Sequence, residues 1–232
     1  MALSAEEWEI IALSLKVAAV AVLATLPVAL ALATILARAQ FPGKVLLDAL
    51  VHLPLVLPPV VTGWLLLLAF GNNGPAGRWL SDWLGLTFMF RWTGAALAAA
   101  VMALPLMVRA MRLSLEAVDP RLEAAARTLG ASPVRSFWTI TLPLASPGVL
   151  AGAVLGFARS IGEFGATITF VSNIPGETRT LPIAIYAALQ MPGNEDSVLR
   201  LALISVALSL GALILSEVLA RRAGGGRGGH VL

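Results

Sequence analysis

From residue 10 to residue 37 the chain carries one charged side chain, Lys16. About 20 apolar residues suffice to cross the hydrocarbon layer of a bilayer as a helix, so this run is long enough to span. Four further runs follow, at 45–70, 93–108, 144–171 and 198–220. The third is the shortest. A backbone inside lipid has no water to bond with, so spans are helices unless a closed barrel forms. A barrel would show short alternating segments, and these runs do not alternate. The reading is an all-α integral membrane protein with about five transmembrane helices.

Composition agrees. Of 232 residues, 58% are hydrophobic and 12% charged, and mean hydropathy is +0.87. A soluble domain carries about 25% charged residues. With no cysteine, disulfide and thiol chemistry are excluded. Basic residues favour the cytoplasmic side of a membrane protein. With the N-terminus outside, Arg38, Lys44, Arg109, Arg112, Arg121, Arg127, Arg135, Arg221, Arg222 and Arg227 fall inside. Only Arg78, Arg91, Arg179 and Arg200 fall outside, among the acids Glu6, Glu7, Glu9, Asp82, Glu177, Glu195 and Asp196. The C-terminus is then cytoplasmic. The first run is too long for a cleaved signal peptide and is preceded by acids.

The chain divides into a membrane domain, 1–220, and a Gly-rich tail, 221–232, expected to be disordered. On the outer side, Trp79 and Trp83 are four apart and predict a short helix lying in the interface. Between Pro175-Gly176 and Pro192-Gly193 a second short helix is expected to dip into the bundle.

One polar stretch, 121–142, separates the third and fourth runs. Asp119-Pro120 starts a helix and Gly130 ends it; Ser132-Pro133 starts another. Leu142-Pro143 is expected to stop the second helix before the fourth span. Phe137 and Trp138 make an exposed apolar pair. One account is a loop resting on anionic lipid headgroups through its arginines. The other is a stiff shape offered to a protein groove.

Inside the runs, Arg159 and Glu163 are four apart in the fourth and can pair on one helical face. Ionisable groups at such depth are costly and are candidates for function. Two readings stand: a neutralised pair that locks the bundle, or an element of an anion pathway. Reversing the pair should keep much of the fold if its role is only local. Pro54, Pro58 and Pro59 break the second run, with Thr62 and His52 nearby; broken helices line cavities or pack on protein. His52 reads as a satisfied structural histidine. Gly148, Gly152 and Gly156 form a row suited to close packing, within the chain or across a dimer.

Gly130, nine residues, Ile140, one residue and Leu142-Pro143 resemble the cytoplasmic signature loop of permease subunits in ATP-binding-cassette importers. In that family the loop begins Glu-Ala-Ala, followed by three residues and then the glycine. Ala124, Ala125 and Ala126 occupy those positions here, and Glu123 lies one residue early. The stretches FPGKVLLDALVHLPLVLPPVVTG, LEAAARTLGASPVRSFWTITLPL and ARSIGEFGATITFVSNIPGETRT resemble molybdate-importer permeases. Sulfate and thiosulfate permeases share much of the pattern.

The resemblance implies the type I importer architecture in a bacterial inner membrane. It implies a homodimer, cytoplasmic ABC ATPases that bind the ATP and Mg, and an external substrate-binding protein. The chain itself would hold no cofactor and no nucleic acid. The ATPase-coupling loop would include Glu123, Ala124, Ala125, Ala126, Gly130, Phe137, Trp138, Ile140, Leu142 and Pro143. The residues singled out within the runs, Arg159, Glu163, Pro58, Pro59 and Thr62, are the ones on which a pathway or gate would draw. The cargo would be an oxoanion such as molybdate, with tungstate and sulfate as alternatives.

Two other classes fit less well. A membrane enzyme would need a nucleophile or a metal site, yet His52 and His230 stand far apart and no H-E-x-x-H occurs. A passive channel would not need the shaped loop. No P-loop motif is present.

Overall fold

The computed structural model describes residues 3–224. Among them the regular structure is entirely helical. Helix α1, Ala5–Arg38, begins with a reciprocal cap in which the Ser4 hydroxyl accepts from Glu7 N–H and Glu7 accepts from Ser4 N–H. Helices α2, Lys44–Val56, and α3, Pro59–Phe70, follow, then α4, Pro75–Leu84. The long helix α5, Trp92–Glu116, precedes α6, Pro120–Thr128, and α7, Pro133–Ser136. A π-helical turn, Phe137–Thr141, carries the chain into α8, Leu142–Ile161. Then come α9, Gly165–Val171, α10, Leu181–Leu189, and α11, Glu195–Gly224. Four helical stretches are long and apolar enough to cross a membrane, and α2 with α3 makes a fifth if counted as one bent span.

Helix α5 is the axis. Of its apolar stretch 61% is buried, against 11% for α11. Its Ala95, Ala98, Ala99 and Met102 pack with Leu13 and Val17 of α1 and Ala166 and Phe170 of α9. Lower down, Met107, Met111 and Leu115 pack with Ala33 and Leu36 of α1 and Ala145 of α8. Small residues let backbones approach where hydrophobic exclusion from water is not available to drive helix association. The row Gly148, Gly152 and Gly156 serves this contact: side chains at Gly148 and Gly156 would overlap Ser114 and Met107 of α5, and one at Gly152 would press on Met111. The row therefore packs inside the chain rather than across a dimer.

Several boundaries differ from the sequence reading. The third run continues as helix to Glu116: Met111 and Leu115 keep its inner face in the core, and Arg112 pairs with Glu116 at 2.8 Å and with Asp48 of α2 at 3.2 Å. The second run is not one rod: α2 and α3 bend by 115° at Leu57-Pro58. Pro54 does not break it and sits within α2. The fourth run is interrupted at 162–164, separating α8 from α9. At its start, Leu142-Pro143 does not stop a helix: Pro133–Ile161 is continuous. The wide turn explains this. Leu142 N–H bonds back to Phe137 C=O, five residues earlier, opening the ladder just where Pro143 brings no donor. Helix α11 reaches Gly224, so the start of the expected tail is helical; residues 225–232 lie outside the described residues.

The two expected short helices exist as α4 and α10. Trp79 and Trp83 are both exposed on α4. Lys16 is accommodated within its span by lying over the Trp92 ring, 3.7 Å from the centroid. At the same end of the bundle, the buried Glu7 carboxylate binds Ser197 and Arg200 at the start of α11 at 3.1 and 3.0 Å. This ties the peripheral helix to α1. Arg179 reaches Glu6 at 2.9 Å and fastens the segment before α10.

Replacing Gly148 by Val should disrupt α5 against α8 at a cost of about 2 kcal/mol or more. A lowered melting temperature of the detergent-solubilised protein is the measurement. An unchanged melting temperature would contradict the packing described.

Candidate functional site

Two places concentrate polar chemistry. The first lies where the bends of two spans meet. Pro58 caps α3 and Pro59 is its first residue; a proline there strands no donor, having none. Both are exposed on this chain. Gly165, the first residue of α9, lies against Pro59, where a side chain would come within 2.7 Å of the proline Cβ. The breaks at 57–58 and 162–164 are thus neighbours. Thr62, one turn into α3, is buried, and its hydroxyl has no hydrogen-bond partner among the described residues. The same holds for Ser160 at the end of α8.

Arg159 and Glu163 do pair, at 2.7 Å, but not along an unbroken helix. Arg159 is in the last turn of α8; Glu163 is in the break and 3% exposed. Its second oxygen accepts from Ala166 N–H at 2.9 Å, in the first turn of α9. The carboxylate therefore does two things: it neutralises the guanidinium, and it satisfies a backbone donor that the break set free. His52 lies elsewhere, its Nδ1 2.9 Å from the Asp48 carbonyl, as a satisfied structural histidine would.

The second place is the loop at the other end of the bundle from Ser4. Asp119 accepts from Arg121 N–H at 2.9 Å and Ser132 from Arg135 N–H at 3.2 Å, so both helix starts are capped. Gly130 has φ +87° and open space around it. No residue of α6 is buried. Ala124, Ala125 and Pro143 are exposed; Ala126, Ile140 and Leu142 are half-buried. Exposed apolar side chains stand at Leu122, Leu129, Val134 and Trp138, with Leu129 at 88% and Trp138 at 60%. Phe137 is different from expectation. It is half-buried against the lower core while meeting Trp138 edge-on at 5.7 Å between centroids. Adjacent helical residues diverge by about 100°, so one ring turns inward as the other turns out.

Glu123 points inward as well. Its Oε1 receives Arg38 of α1 at 3.0 Å and the Thr141 hydroxyl at 2.6 Å. Neither Arg38 nor Thr141 is among the loop residues expected from the sequence. Nothing local signals them: a basic residue in a last helical turn is ordinary, and a threonine two residues before a proline is no motif. Among the described residues no group of His, Asp or Glu could hold a metal ion.

Residues 8–225 match the family described as binding-protein-dependent transport system inner membrane component. The chain belongs to this family. Individual relatives agree. The molybdenum transport system permease protein ModB of Escherichia coli (strain K12) is 60% identical over 221 residues, covering 95% of this chain and 96% of that protein. The sulfate transport system permease protein CysT of the same organism is 40% identical over 189 residues, covering 82% and 67%. The fold is also that of a subunit in a bacterial alginate ABC transporter, with a TM-score of 0.72 at 18% identity over 94% of this chain and 80% of that one. The permease is accordingly a non-catalytic, multi-pass subunit of the bacterial inner membrane.

The double duty of Glu163 yields a test in this permease. Glu163→Ala strands both Ala166 N–H and the Arg159 charge, at a cost of about 3 kcal/mol. Glu163→Gln keeps an acceptor and should cost less. The reversal Arg159→Glu with Glu163→Arg should not restore stability, because arginine cannot accept from Ala166 N–H. Reversal keeps much of the fold only if the role is local pairing, and the bond from Ala166 N–H gives Glu163 a second role. Melting temperatures of the three variants decide it; a fully stable reversed pair would remove the capping role.

Proposed function

We propose that this permease lines the path of an ATP-driven importer for molybdate. The observation that carries the substrate is the 60% identity with ModB over 95% of the chain. The 40% likeness to a sulfate permease supports a second reading, sulfate or another tetrahedral dianion such as tungstate. Two copies of the chain pair, and two cytoplasmic ATPases bind the ATP and Mg. An external binding protein delivers the anion to the end carrying Ser4 and α10. The N-terminus faces outward and the loop 121–142 faces the cytoplasm, in keeping with the arginines of that loop and with the type I importer arrangement.

In this reading the loop is the link to the ATPase. Leu122, Leu129, Val134 and Trp138 form the docking face, flanked by Ala124 and Ala125, whose small side chains allow close approach. Gly130 sets the angle between the two loop helices, and Ile140, Leu142 and Pro143 carry the movement into α8. Phe137 roots the loop in the core. The path runs past the paired breaks, where Pro58, Pro59 and Thr62 approach α9. Arg159 attracts the dianion. Its partner Glu163 offsets part of that attraction, so the anion passes without being trapped.

Two experiments test these roles. In vesicles holding permease and ATPase, binding protein loaded with molybdate should stimulate ATP hydrolysis and uptake. Stimulation by the sulfate-loaded protein alone would overturn the molybdate reading. Second, Gly130→Val forces a β-branched residue to positive φ, a penalty of roughly 1–2 kcal/mol, and re-aims α7. The variant should insert and fold yet bind the ATPase weakly or hydrolyse ATP without uptake. Normal binding with normal uptake would exclude the loop geometry as the coupling device.

A further inference from the structure

We infer that Glu123 is a positioning residue rather than an ATPase contact: with Arg38 and Thr141 it forms a latch that makes α6, α1 and α8 move as one body. The inference rests on reading the loop as the link to the ATPase.

With no buried residue, α6 gains little from apolar packing, the force that docks most helices. Its covalent neighbours are weak restraints. Residues 117–119 join it to α5, and Gly130, free to take either sign of φ, joins it to α7. A force on the exposed face of α6 would therefore swing the helix on these two joints.

The Glu123 side chain supplies what packing does not. One oxygen, Oε1, receives the Arg38 guanidinium and the Thr141 hydroxyl. Arg38 ends α1, and its guanidinium also reaches Val118 C=O at 3.4 Å. Thr141 is the last residue of the π turn, is 1% exposed, and stands directly before α8. Three elements thus converge on one carboxylate. The connection to α1 is the informative one. Helix α8 would feel the loop anyway, through the continuous helix Pro133–Ile161. Helix α1 has no chain link to it, and Arg38 is its hold on α6. Charge-assisted bonds of this kind, partly shielded from water, are roughly twice as strong as neutral ones. They break or hold as discrete states, which suits force transfer.

The position also separates two roles. An acid meant for an ATPase would face solvent on the docking side, where Ala124 and Ala125 are exposed. Glu123 faces the bundle instead.

The experiment uses the full permease–ATPase complex in lipid nanodiscs or vesicles. Glu123→Gln and Arg38→Met should each retain the ATPase on purification but lower anion imported per ATP hydrolysed about tenfold. The double variant should be no worse than either, since both act through one contact. Thr141→Val should uncouple and Thr141→Ser should not, which guards against simple misfolding. The chain has no cysteine, so spin labels at Arg127→Cys, exposed on α6 away from the docking residues named above, and at Ala39→Cys report the α6–α1 distance with no competing thiol in this chain. That distance should stay narrow with and without ATP, and broaden in Glu123→Gln. Loss of the ATPase from Glu123→Gln would make the residue a docking contact and overturn the latch. Normal coupling in Glu123→Gln, or fully additive defects, would overturn it too. Gly130→Val separates the failures. If it uncouples while Glu123→Gln does not, the latch alone fails; if both transport normally, the loop reading fails with it.

Discussion

A helix that breaks inside an apolar layer frees backbone donors and acceptors that no water can satisfy. The architecture follows from how this chain meets that demand at two neighbouring breaks. At 57–58 the residue that follows is proline, which has no N–H to strand, and the bend of 115° results. At 162–164 a carboxylate does the work: Glu163 takes up Ala166 N–H while neutralising Arg159. The two solutions then lock together, because Gly165 leaves room for Pro59 and Gly63 leaves room for α9. Short helices α3 and α9 are thereby held side by side at a depth where continuous spans would leave only smooth apolar walls.

The same economy governs the other charges within apolar stretches. Lys16 lies on the Trp92 ring, Arg112 is shared by Asp48 and Glu116, and Glu7 takes up Arg200. Each pair joins different helices or successive turns. Burying a charge without its partner costs several kcal/mol, so these contacts restrict which helix arrangements are open. Apolar packing against α5 brings the helices close; the polar ties decide their register.

The loop inverts this balance. Its outer face is apolar and exposed, and its inner attachment is polar. A surface so built is costly in water and useful against a partner. Family membership makes that partner an ATPase in the reading proposed here. A stiff loop with a loose root would waste motion, and the bonds of Glu123 to Arg38 and Thr141 give it a firm one. The π turn adds a further consequence: by absorbing Pro143 it lets loop and span share one helical rod.

Sequence alone determined the membrane class, the places of the apolar runs, the caps at Asp119 and Ser132, the positive φ at Gly130 and the short helices near Trp79 and before Pro192. All of these depend on composition or on residues within a turn of one another, which local chemistry specifies. The pairing of Arg159 with Glu163 was legible for the same reason. What lay beyond the sequence depended on distant partners. Whether Glu163 sat in a helix or a break was decided by Pro59 closing on Gly165. Whether Phe137 faced out was decided by the lower core. Whether Leu142-Pro143 ended a helix was decided by a π turn that no pattern announces. The inward aim of Glu123 was decided by Arg38, more than eighty residues earlier. A side chain's local spacing sets which face it occupies; only the packed neighbours set what that face meets.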